Sequence, residues 1–397
     1  MSDVNGDRAG RFVRQPQGYR AFIPADLPPQ PPIIFDADLV NLLGAATTAL
    51  GRLDGLARML PNPDLFVAMY VRREAVLSSQ IEGTQSTLDD VLTYEINPDA
   101  DHLPGDVEEV VNYVDAMKYG LTRLESFPLC LRLLREIHGM LLRNTRGGEK
   151  MPGEFRVTQN WIGAPGPRGL DDATFVPPPP HEMGQALDNF ERFLHHSEPL
   201  HPLIACGIAH AQFETIHPFL DGNGRVGRLL VTFLLCHAGV VRQPLLYLSH
   251  YLKLHRAEYY DRLTAVRRSG DWEGWLRFFL QGVAFVAAEA EETAGRIVEL
   301  REHVRKEVSD AGMPASTFTL IDKLFYQPLI NVNIAAESLG SSFVTANNMI
   351  NRLCELGVLV EVTGGKRNRR FRFDRYLALF EYSGEFVDPS EAEQTQN

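Results

Sequence analysis

The 397-residue chain has few cysteines, and none is spaced for a metal site or a redox motif. The four, Cys130, Cys206, Cys236 and Cys354, stand far apart in apolar segments with helical spacing. A CxxC pair or a dense set of cysteines would indicate a zinc site or a disulfide framework. We therefore predict buried free thiols in a reducing compartment and a cytoplasmic protein.

Long apolar runs are also missing. The longest candidate, around Leu229 to Leu235, is too short to cross a bilayer. The first residues, MSDVNG, lack the apolar core of a signal peptide. We expect no membrane association. Acidic residues outnumber basic ones by 51 to 39, which gives a formal charge of −12. This balance argues against a protein whose whole surface binds nucleic acid, but not against a local basic patch.

The most informative stretch runs from Thr215 to Leu230 and reads TIHPFLDGNGRVGRLL. Apolar residues at helical spacing flank it, so we expect one helix to end near Ile216 and another to begin at about Gly224. Gly222 and Gly224 have no Cβ, and their backbone can therefore approach a ligand closely. Backbone N–H groups in such a loop, together with those of the following helix N-terminus, favour a bound phosphate.

The side chains of this loop suit phosphate chemistry. Arg225 and Arg228 are three positions apart, so they share a face of the first turn and can hold two phosphate groups. Asp221 offers a hard oxygen ligand for Mg²⁺, which usually accompanies nucleotide phosphates. His217 can take a proton from an attacking hydroxyl group, and Asn223 can orient the loop or a phosphate oxygen. The alternative is a glycine-rich turn with a capping aspartate and two solvated arginines.

From His217 to Arg228 the chain matches the pattern H-P-F-x-D-G-N-G-R-x-x-R at every defining position, and it thereby resembles the Fic family. Members of that family transfer AMP from ATP to a protein hydroxyl group. The resemblance implies a mainly α fold, with a Fic-type helical core and a β-hairpin flap, and a protein adenylyltransferase that uses ATP and Mg²⁺. It also implies a target protein that the sequence does not identify. The ATP contacts that it implies in the loop are Gly222, Asn223, Gly224, Arg225, Val226, Gly227 and Arg228.

A second motif precedes the loop. A predicted helix from Asp64 ends at Gly83 as its C-terminal cap, and Glu82 in its last turn opposes the helix dipole, so a partner is expected. Ser78, Glu82 and Gly83 resemble the [S/T]-x-x-x-E-[G/N] inhibitory motif of Fic proteins. The resemblance implies that Glu82 pairs with Arg228 and stops ATP from binding productively, while Ser78 supports the helix geometry. The alternative is a surface glutamate before a capping glycine.

Two further segments are assigned to the site by the resemblance. Residues 155–163 alternate like a strand and are followed by turn residues. The family places a hairpin flap here that aligns the target segment, which implies that Ile162, Gly163 and Ala164 lie near the nucleotide. A plain surface hairpin is the alternative. Tyr259, in a Tyr-Tyr-x-x-Leu segment, resembles the family segment beside the adenine and ribose, and core packing is the alternative.

Composition and pattern, together with the resemblance to the Fic family, divide the chain into five parts. We predict an extended N-terminal arm over 1–35, a helical region with the inhibitory motif over 36–115, and a Fic catalytic core over 116–300. A winged-helix domain over 312–380 and a flexible tail over 381–397 follow. The winged helix is predicted from a helix, a helix-turn-helix and a two-stranded wing with the basic turn at 364–370. It can meet DNA phosphates, or it can serve protein contact or homodimerisation.

Two classes of function compete. The first is a protein adenylyltransferase, inhibited by its own Glu82, that modifies a Ser, Thr or Tyr hydroxyl of a target protein or of itself. The second is a DNA-binding regulator with a nucleotide-sensing domain, which would need the anion loop but no proton acceptor at position 217. His217 thus favours the enzyme. Gly224 favours AMP transfer, because the kinase-like variant of the family has a lysine there. Removal of AMP, with Glu82 orienting a water molecule, is left open.

Overall fold

A computed structural model of the chain describes residues 8–59, 63–100, 102–145, 148–163, 167, 169–197, 199–365 and 368–380. These residues are mainly helical, as predicted, and they divide into two compact units, Met1–Ala294 and Gly295–Asn397. Among the described residues, every helix is too short or too polar to cross a membrane. The predicted tail over 381–397 lies outside the described residues.

The first unit contains two strands and most of the helices. The strands are β1 (Gly10–Arg14) and β2 (Arg20–Pro24). The helices are α1 (Ala37–Met59), α2 (Pro63–Ile81), α3 (Leu88–Ile96), α4 (Val107–Leu124), α5 (Leu131–Leu141), α6 (Pro180–His195), α7 (Pro202–Ile216), α8 (Asn223–His237), α9 (Ser249–Leu254), α10 (Arg256–Ser269) and α11 (Trp272–Asp310). The boundary between the two units falls within α11.

Helix α7 forms the centre of this unit. Pro202 occupies its first turn, and the side chain of His201 caps it by accepting the N–H of Leu203 at 3.2 Å. Every residue from Leu203 to Ile216 is buried. A helix that is apolar almost all round is stable only when other elements surround it, and α6, α8 and α10 pack against α7. The loop at its C-terminus is therefore held on a buried base.

The segment predicted as an extended arm forms a paired hairpin where it is described. Strands β1 and β2 are antiparallel, in register from Gly10 opposite Pro24 to Arg14 opposite Arg20. The N–H of Phe22 donates to the carbonyl of Val176 at 2.9 Å. Rings of Phe22 and Phe175 pack with their centroids 5.7 Å apart. The arm is thus ordered by its contact with the segment that precedes α6.

The strand predicted over 155–163 is not formed. A single antiparallel bridge joins Ile162 to Phe175, and Ala164 lies outside the described residues. The backbone and side chain of Arg156 bind other carbonyl groups, as described below, and the prolines at 177–180 have no N–H to donate to a ladder. These two facts explain why a hairpin with a regular ladder does not form here.

After the end of α11, the described part of the second unit contains short helices and strands. They are α12 (Ser316–Tyr326), β3 (Leu329–Asn331), α13 (Val332–Leu339), α14 (Phe343–Glu355), β4 (Val360–Glu361), β5 (Arg370–Arg372) and α15 (Asp374–Leu377). The sheet order is β3-β5-β4, and both pairings are antiparallel. Asn331 and Ser342 cap α13 and α14 through their side-chain oxygens. Residues 366–367 of the basic turn lie outside the described residues.

Candidate functional site

The loop between α7 and α8 begins and ends in the left-handed region of backbone space. His217, directly after α7, has φ 49° and ψ 60°, and Gly222, directly before α8, has φ 73°. The predicted end of α7 at Ile216 is confirmed, and α8 begins at Asn223, one residue before the prediction. A histidine with positive φ is uncommon, and such backbone persists only where neighbours hold it in place.

Three side chains hold this loop through its backbone. Asn223 accepts the N–H of Phe219 and donates to its carbonyl, both at 2.8 Å. Asn160 donates to the carbonyls of Phe219 at 2.8 Å and His217 at 3.1 Å. Arg156 donates from Nε to the carbonyl of His217 at 2.9 Å. Asn223 therefore orients the loop, as one of its two expected roles. Arg156 and Asn160 could not be found from the sequence, because local alternation placed both in a predicted strand.

Phe219 and His138 support the loop from below. Both are fully buried, and their rings stack 3.8 Å apart with an interplanar angle of 7°. The N–H of Gly153 donates to Nδ1 of His138 at 2.8 Å, so we assign the ring proton to Nε2, which lies 3.0 Å from the carbonyl of Asp221. Burial lowers the pKa of His138 to about 4. A neutral histidine thus connects the loop to α5.

The side chain of His217 is available to act as a base. It is 18% exposed at the end of α7. Burial, followed by the guanidinium of Arg267, lowers the pKa of His217 to about 4. The ring is therefore neutral at neutral pH and carries a lone pair that can accept a proton. The nearest carboxyl group is that of Glu214, whose Oε2 lies 4.0 Å from Nδ1 of His217.

The structure brings Ser78, Glu82 and Arg228 together. The side chain of Arg228 is only 2% exposed. Its Nε donates to Ser78 Oγ at 2.7 Å, and its Nη2 donates to the Ser78 carbonyl at 3.0 Å and to Glu82 Oε1 at 2.7 Å. Ser78 was expected to support helix geometry, but its hydroxyl binds Arg228 directly. Gly83, with φ 100°, follows α2 as expected for a helix-ending glycine.

The carboxylate of Glu82 lies at the N-terminus of α8. A Cβ at Gly224 would overlap Glu82 Oε1, so the absence of a side chain at that position gives the carboxylate its place. This is the position that the sequence predicts for a phosphate. Burial opposes ionisation of Glu82, but the adjacent Arg228 guanidinium outweighs it and lowers the pKa of Glu82. A carboxylate of the chain itself therefore occupies the predicted anion site.

Two residues that the resemblance assigns to nucleotide contact are buried and bound to other side chains in this structure. Arg225 is 4% exposed, and its Nη1 lies 3.1 Å from Glu109 Oε2 on α4. The two arginines of the loop therefore bind different acids and do not form one phosphate grip. Tyr259 is 1% exposed, and its hydroxyl lies 2.9 Å from His210 Nε2, so it packs in the core as the alternative stated. Its neighbour Tyr260 is 39% exposed.

The remaining motif residues of the loop and α8 are buried. Gly222 and Asn223 lie at the start of the helix, and Val226 is fully buried. A Cβ at Gly227 would overlap Oε1 of Glu214, so Gly227 faces that buried acid. A direct nucleotide contact is therefore not supported for Val226 or Gly227. In the flap segment, Ile162 is half-buried and Gly163 is exposed.

Asp221 has the properties expected of a cation ligand. Its Oδ2 lies 2.9 Å from Lys150 Nζ, and its Oδ1 accepts the N–H of Gly222 at 2.7 Å. Partial burial opposes ionisation, but Lys150 and the Gly222 N–H outweigh it and lower the pKa of Asp221. Within the described part of the chain, no three His, Cys, Asp or Glu side chains form a metal cluster. A single carboxylate beside phosphates fits Mg²⁺, which keeps several waters.

Comparison with known proteins identifies family models and relatives that match this sequence. Two family models match the chain, Fic/DOC family N-terminal over residues 40–122 and Fic/DOC family over residues 128–235. The protein adenylyltransferase Fic of Drosophila sechellia is 32% identical over 173 residues, which are 43% of this chain and 31% of the relative. The corresponding protein of Drosophila yakuba is 33% identical over the same length. The chain thus spans about a third of the length of these curated relatives.

A solved structure supports the fold. The crystal structure of a Fic family protein from Desulfovibrio desulfuricans covers 90% of this chain and 100% of its own, with a TM-score of 0.55 and 23% sequence identity. The match over 40–122 includes Glu82, directly after α2, and the match over 128–235 includes the loop that carries His217. Residues 40–122 of this chain therefore belong to the Fic/DOC family N-terminal region, and residues 128–235 belong to the Fic/DOC family.

Proposed function

We propose that this protein is an adenylyltransferase that transfers AMP from ATP to a Ser, Thr or Tyr hydroxyl of a protein, and that Glu82 holds it in an inhibited state. The carrying observation is the carboxylate of Glu82 at the N-terminus of α8, bound to Arg228 at 2.7 Å. Relatives named protein adenylyltransferase Fic support the choice of reaction.

In the proposed reaction, His217 takes the proton from the target hydroxyl. The hydroxyl oxygen forms a bond to the α-phosphorus of ATP, the bond to the β-phosphate oxygen breaks, and pyrophosphate leaves. The backbone N–H groups at Gly222 and Gly224 and the N-terminus of α8 stabilise the negative charge that develops. Asp221 would hold Mg²⁺, which supplies neutralising charge to the phosphates when bound. Arg228 binds the outer phosphates once Glu82 has left.

The contacts of Arg228 explain how the enzyme can be released from inhibition. Ser78 holds Nε and Nη2 of Arg228 independently of Glu82. The guanidinium therefore keeps its orientation when the Glu82 carboxylate leaves. The Glu82 side chain is 38% exposed at the end of α2, so its rotation toward solvent requires no rearrangement of the core. Loss of Glu82 thus opens an anion site that is already arranged.

The test uses purified protein with Mg²⁺ and ATP labelled at the α-phosphate, read by gel and intact mass, with cell lysate as an added acceptor. We expect Glu82→Gly to increase AMP incorporation about tenfold or more, and His217→Ala to abolish it in both backgrounds. Glu125→Gly, which removes an exposed glutamate from the end of α4, should behave as wild type. Equal labelling by wild type and Glu82→Gly would refute inhibition. Absence of label from every variant would refute AMP transfer.

A second function is favoured for the C-terminal unit by the surface of α14. The element order helix, strand, two helices and two strands is that of a winged helix, in which the second of the two central helices enters the major groove of DNA. Asn348 and Arg352 of α14 are exposed, and no acidic residue occurs between Glu337 and Glu355. We propose that this surface, termed the α14 surface, contacts duplex DNA.

A further inference from the structure

Glu214 is a buried acid beside His217, the proposed base. The reaction described above gives Glu214 no role. It lies in the last turn of α7, three residues before His217, and its side chain is 8% exposed. Within the described part of the chain, its Oε1 and the Nδ1 of His217 are both buried without a hydrogen-bond partner. Buried polar atoms are nearly always paired. The other carboxylate oxygen, Oε2, lies 4.0 Å from Nδ1 of His217, which is beyond hydrogen-bond distance but within reach of a small shift of the side chain.

The surroundings hold Glu214 in this position. Arg267 of α10 donates from Nη2 to the carbonyl of Glu214 at 3.1 Å and from Nε to Thr215 Oγ1 at 3.2 Å, which anchors the backbone. The carboxyl group faces Gly227 of α8, where any Cβ would overlap Oε1. The backbone of Glu214 is therefore anchored, and its carboxyl group occupies a space that exists only because residue 227 is a glycine.

Positively charged groups face His217, and a nearby carboxylate would offset their effect on a protonated ring. The guanidinium groups of Arg267 in α10 and Arg156 in the flap segment lower the pKa of His217, whereas the backbone carbonyl of Glu214 and the carboxylate of Glu82, directly after α2, raise it. When Glu82 leaves, the phosphates of ATP take its place, while both guanidinium groups stay beside the ring. A carboxylate next to Nδ1 would offset those two positive charges when His217 takes the proton from the target hydroxyl. Burial raises the pKa of Glu214 to about 7, so this group is partly ionised at neutral pH.

We propose that Glu214 is the positioning residue of His217. Its carboxylate accepts the Nδ1–H of His217, which leaves the Nε2 lone pair free for the target hydroxyl. It then stabilises the imidazolium that forms when Nε2 takes the hydroxyl proton, while Nδ1 keeps its own proton. The approach from 4.0 Å to hydrogen-bond distance requires a shift of about 1 Å. The catalytic consequence rests on the proposed AMP transfer, but the Glu214–His217 pair itself does not.

The first measurement is independent of activity. The full-length Glu82→Gly protein, labelled with ¹⁵N at histidine, is compared with the same protein carrying Glu214→Gln or Glu214→Ala, and His217→Asn assigns the ring signals. We expect His217 to hold its proton on Nδ1 in the parent and in Glu214→Gln, whose amide oxygen can still accept. Glu214→Ala should move the proton toward Nε2 for about half of the molecules or more. An unchanged tautomer in Glu214→Ala would overturn the proposal.

The second measurement is the rate of AMP transfer in the same background. Glu214→Gln should lower kcat about tenfold with KM for ATP unchanged, because it keeps the geometry and loses the charge, and Glu214→Ala should lower kcat about a hundredfold. Glu191→Gln, which changes a part-buried acid that binds the Leu131 N–H, is the matched control. Parental kcat in both Glu214 variants would overturn the proposal. If the parent itself transfers no AMP, the proposed function fails, and the tautomer measurement still decides the role of Glu214.

Discussion

Asp221 already binds a cation, because the ammonium group of Lys150 lies 2.9 Å from its Oδ2. The side chain of Lys150 is 44% exposed and that of Asp221 is 32% exposed. An ion pair with this exposure stabilises a protein by about 0–1 kcal/mol. Lys150 therefore competes with Mg²⁺ for Asp221, but only weakly, and a cation delivered with nucleotide phosphates can displace it.

Because Lys150 and Mg²⁺ compete for Asp221, we expect Lys150→Ala to make Mg²⁺ binding at this carboxylate easier. In the Glu82→Gly background, the Mg²⁺ concentration that gives half-maximal ATP binding should fall about threefold, since the carboxylate no longer has to release an ammonium group. Calorimetric titration of ATP at a series of Mg²⁺ concentrations measures the change. Lys118→Ala, which removes an exposed lysine from α4, controls for the loss of one positive charge. A higher Mg²⁺ requirement would show that Lys150 assists ATP binding instead.

The positions that the sequence predicted correctly depend on near neighbours in the chain. His217 and Gly222 lie at helix ends that apolar spacing and glycine positions indicate. The buried positions of Arg225 and Tyr259 could not be predicted in the same way. Their partners, Glu109 and His210, stand 116 and 49 residues away, and helix periodicity gives the face of a residue but not its partner. The Glu82–Arg228 pair was found only through the family resemblance.

Helix α2 connects the inhibitory motif to the body of the first unit. One turn before Ser78, Glu74 is 3% exposed and accepts hydrogen bonds from Tyr113 of α4 at 3.2 Å and from the N–H of Ser249 at 3.1 Å. Burial raises the pKa of Glu74 from 4.5 to about 7. The folded state therefore binds a proton that the unfolded state releases between these values, and the contribution of Glu74 to stability falls as pH rises.

Glu74→Gln should remove this pH dependence, because an amide does not titrate. Wild type should lose stability relative to Glu74→Gln by about 2 kcal/mol between pH 5 and pH 8, since each pKa unit corresponds to about 1.4 kcal/mol. Urea unfolding of both proteins at the two pH values gives the difference. Glu292→Gln, on the exposed face of α11, serves as the control. Parallel stability curves for wild type and Glu74→Gln would show that Glu74 has an ordinary pKa.

Helices could be predicted where a single apolar spacing extends over the whole segment. Helices α7 and α8 follow from apolar spacing on both sides of a glycine-rich loop. The hairpin of β1 and β2 was missed, because strands of five residues within a Pro- and Gly-rich arm give little periodic signal. The prediction of a strand over 155–163 was wrong for the opposite reason, namely that a clear pattern was present but did not lead to pairing. Its alternation is real, but Arg156 and Asn160 bind the catalytic loop and not a neighbouring strand.

The negative charge of the whole molecule is not spread evenly along the chain. The formal charge is −12, yet the stretch from residue 338 to residue 372 contains six basic and two acidic side chains. This stretch includes the α14 surface. Phe343 and Val344 at the start of α14 are 56% and 67% exposed. An acidic protein that concentrates positive charge beside an exposed helix has a local surface suited to phosphates, although its net charge repels nucleic acid.

DNA binding by the α14 surface predicts a response to charge at one exposed position. Asn348→Asp should weaken binding of the full chain to a labelled random-sequence duplex of about 30 base pairs by roughly tenfold, because it places a like charge against the phosphates. Fluorescence anisotropy between about 50 mM and 200 mM salt measures the affinity, which should fall steeply with salt. Ser309→Asp adds the same charge at an exposed position of α11 and should leave the affinity unchanged.

Absence of binding at low salt, or an equal effect of both substitutions, would contradict the assignment to DNA. The remaining explanation is that the α14 surface contacts another protein chain, and light scattering on Phe343→Glu tests it. If the surface serves protein contact, the oligomeric mass should fall when its exposed apolar side chain becomes charged. A DNA surface keeps the mass of the wild type under the same conditions. The two measurements together assign the α14 surface to a nucleic acid or to a second protein.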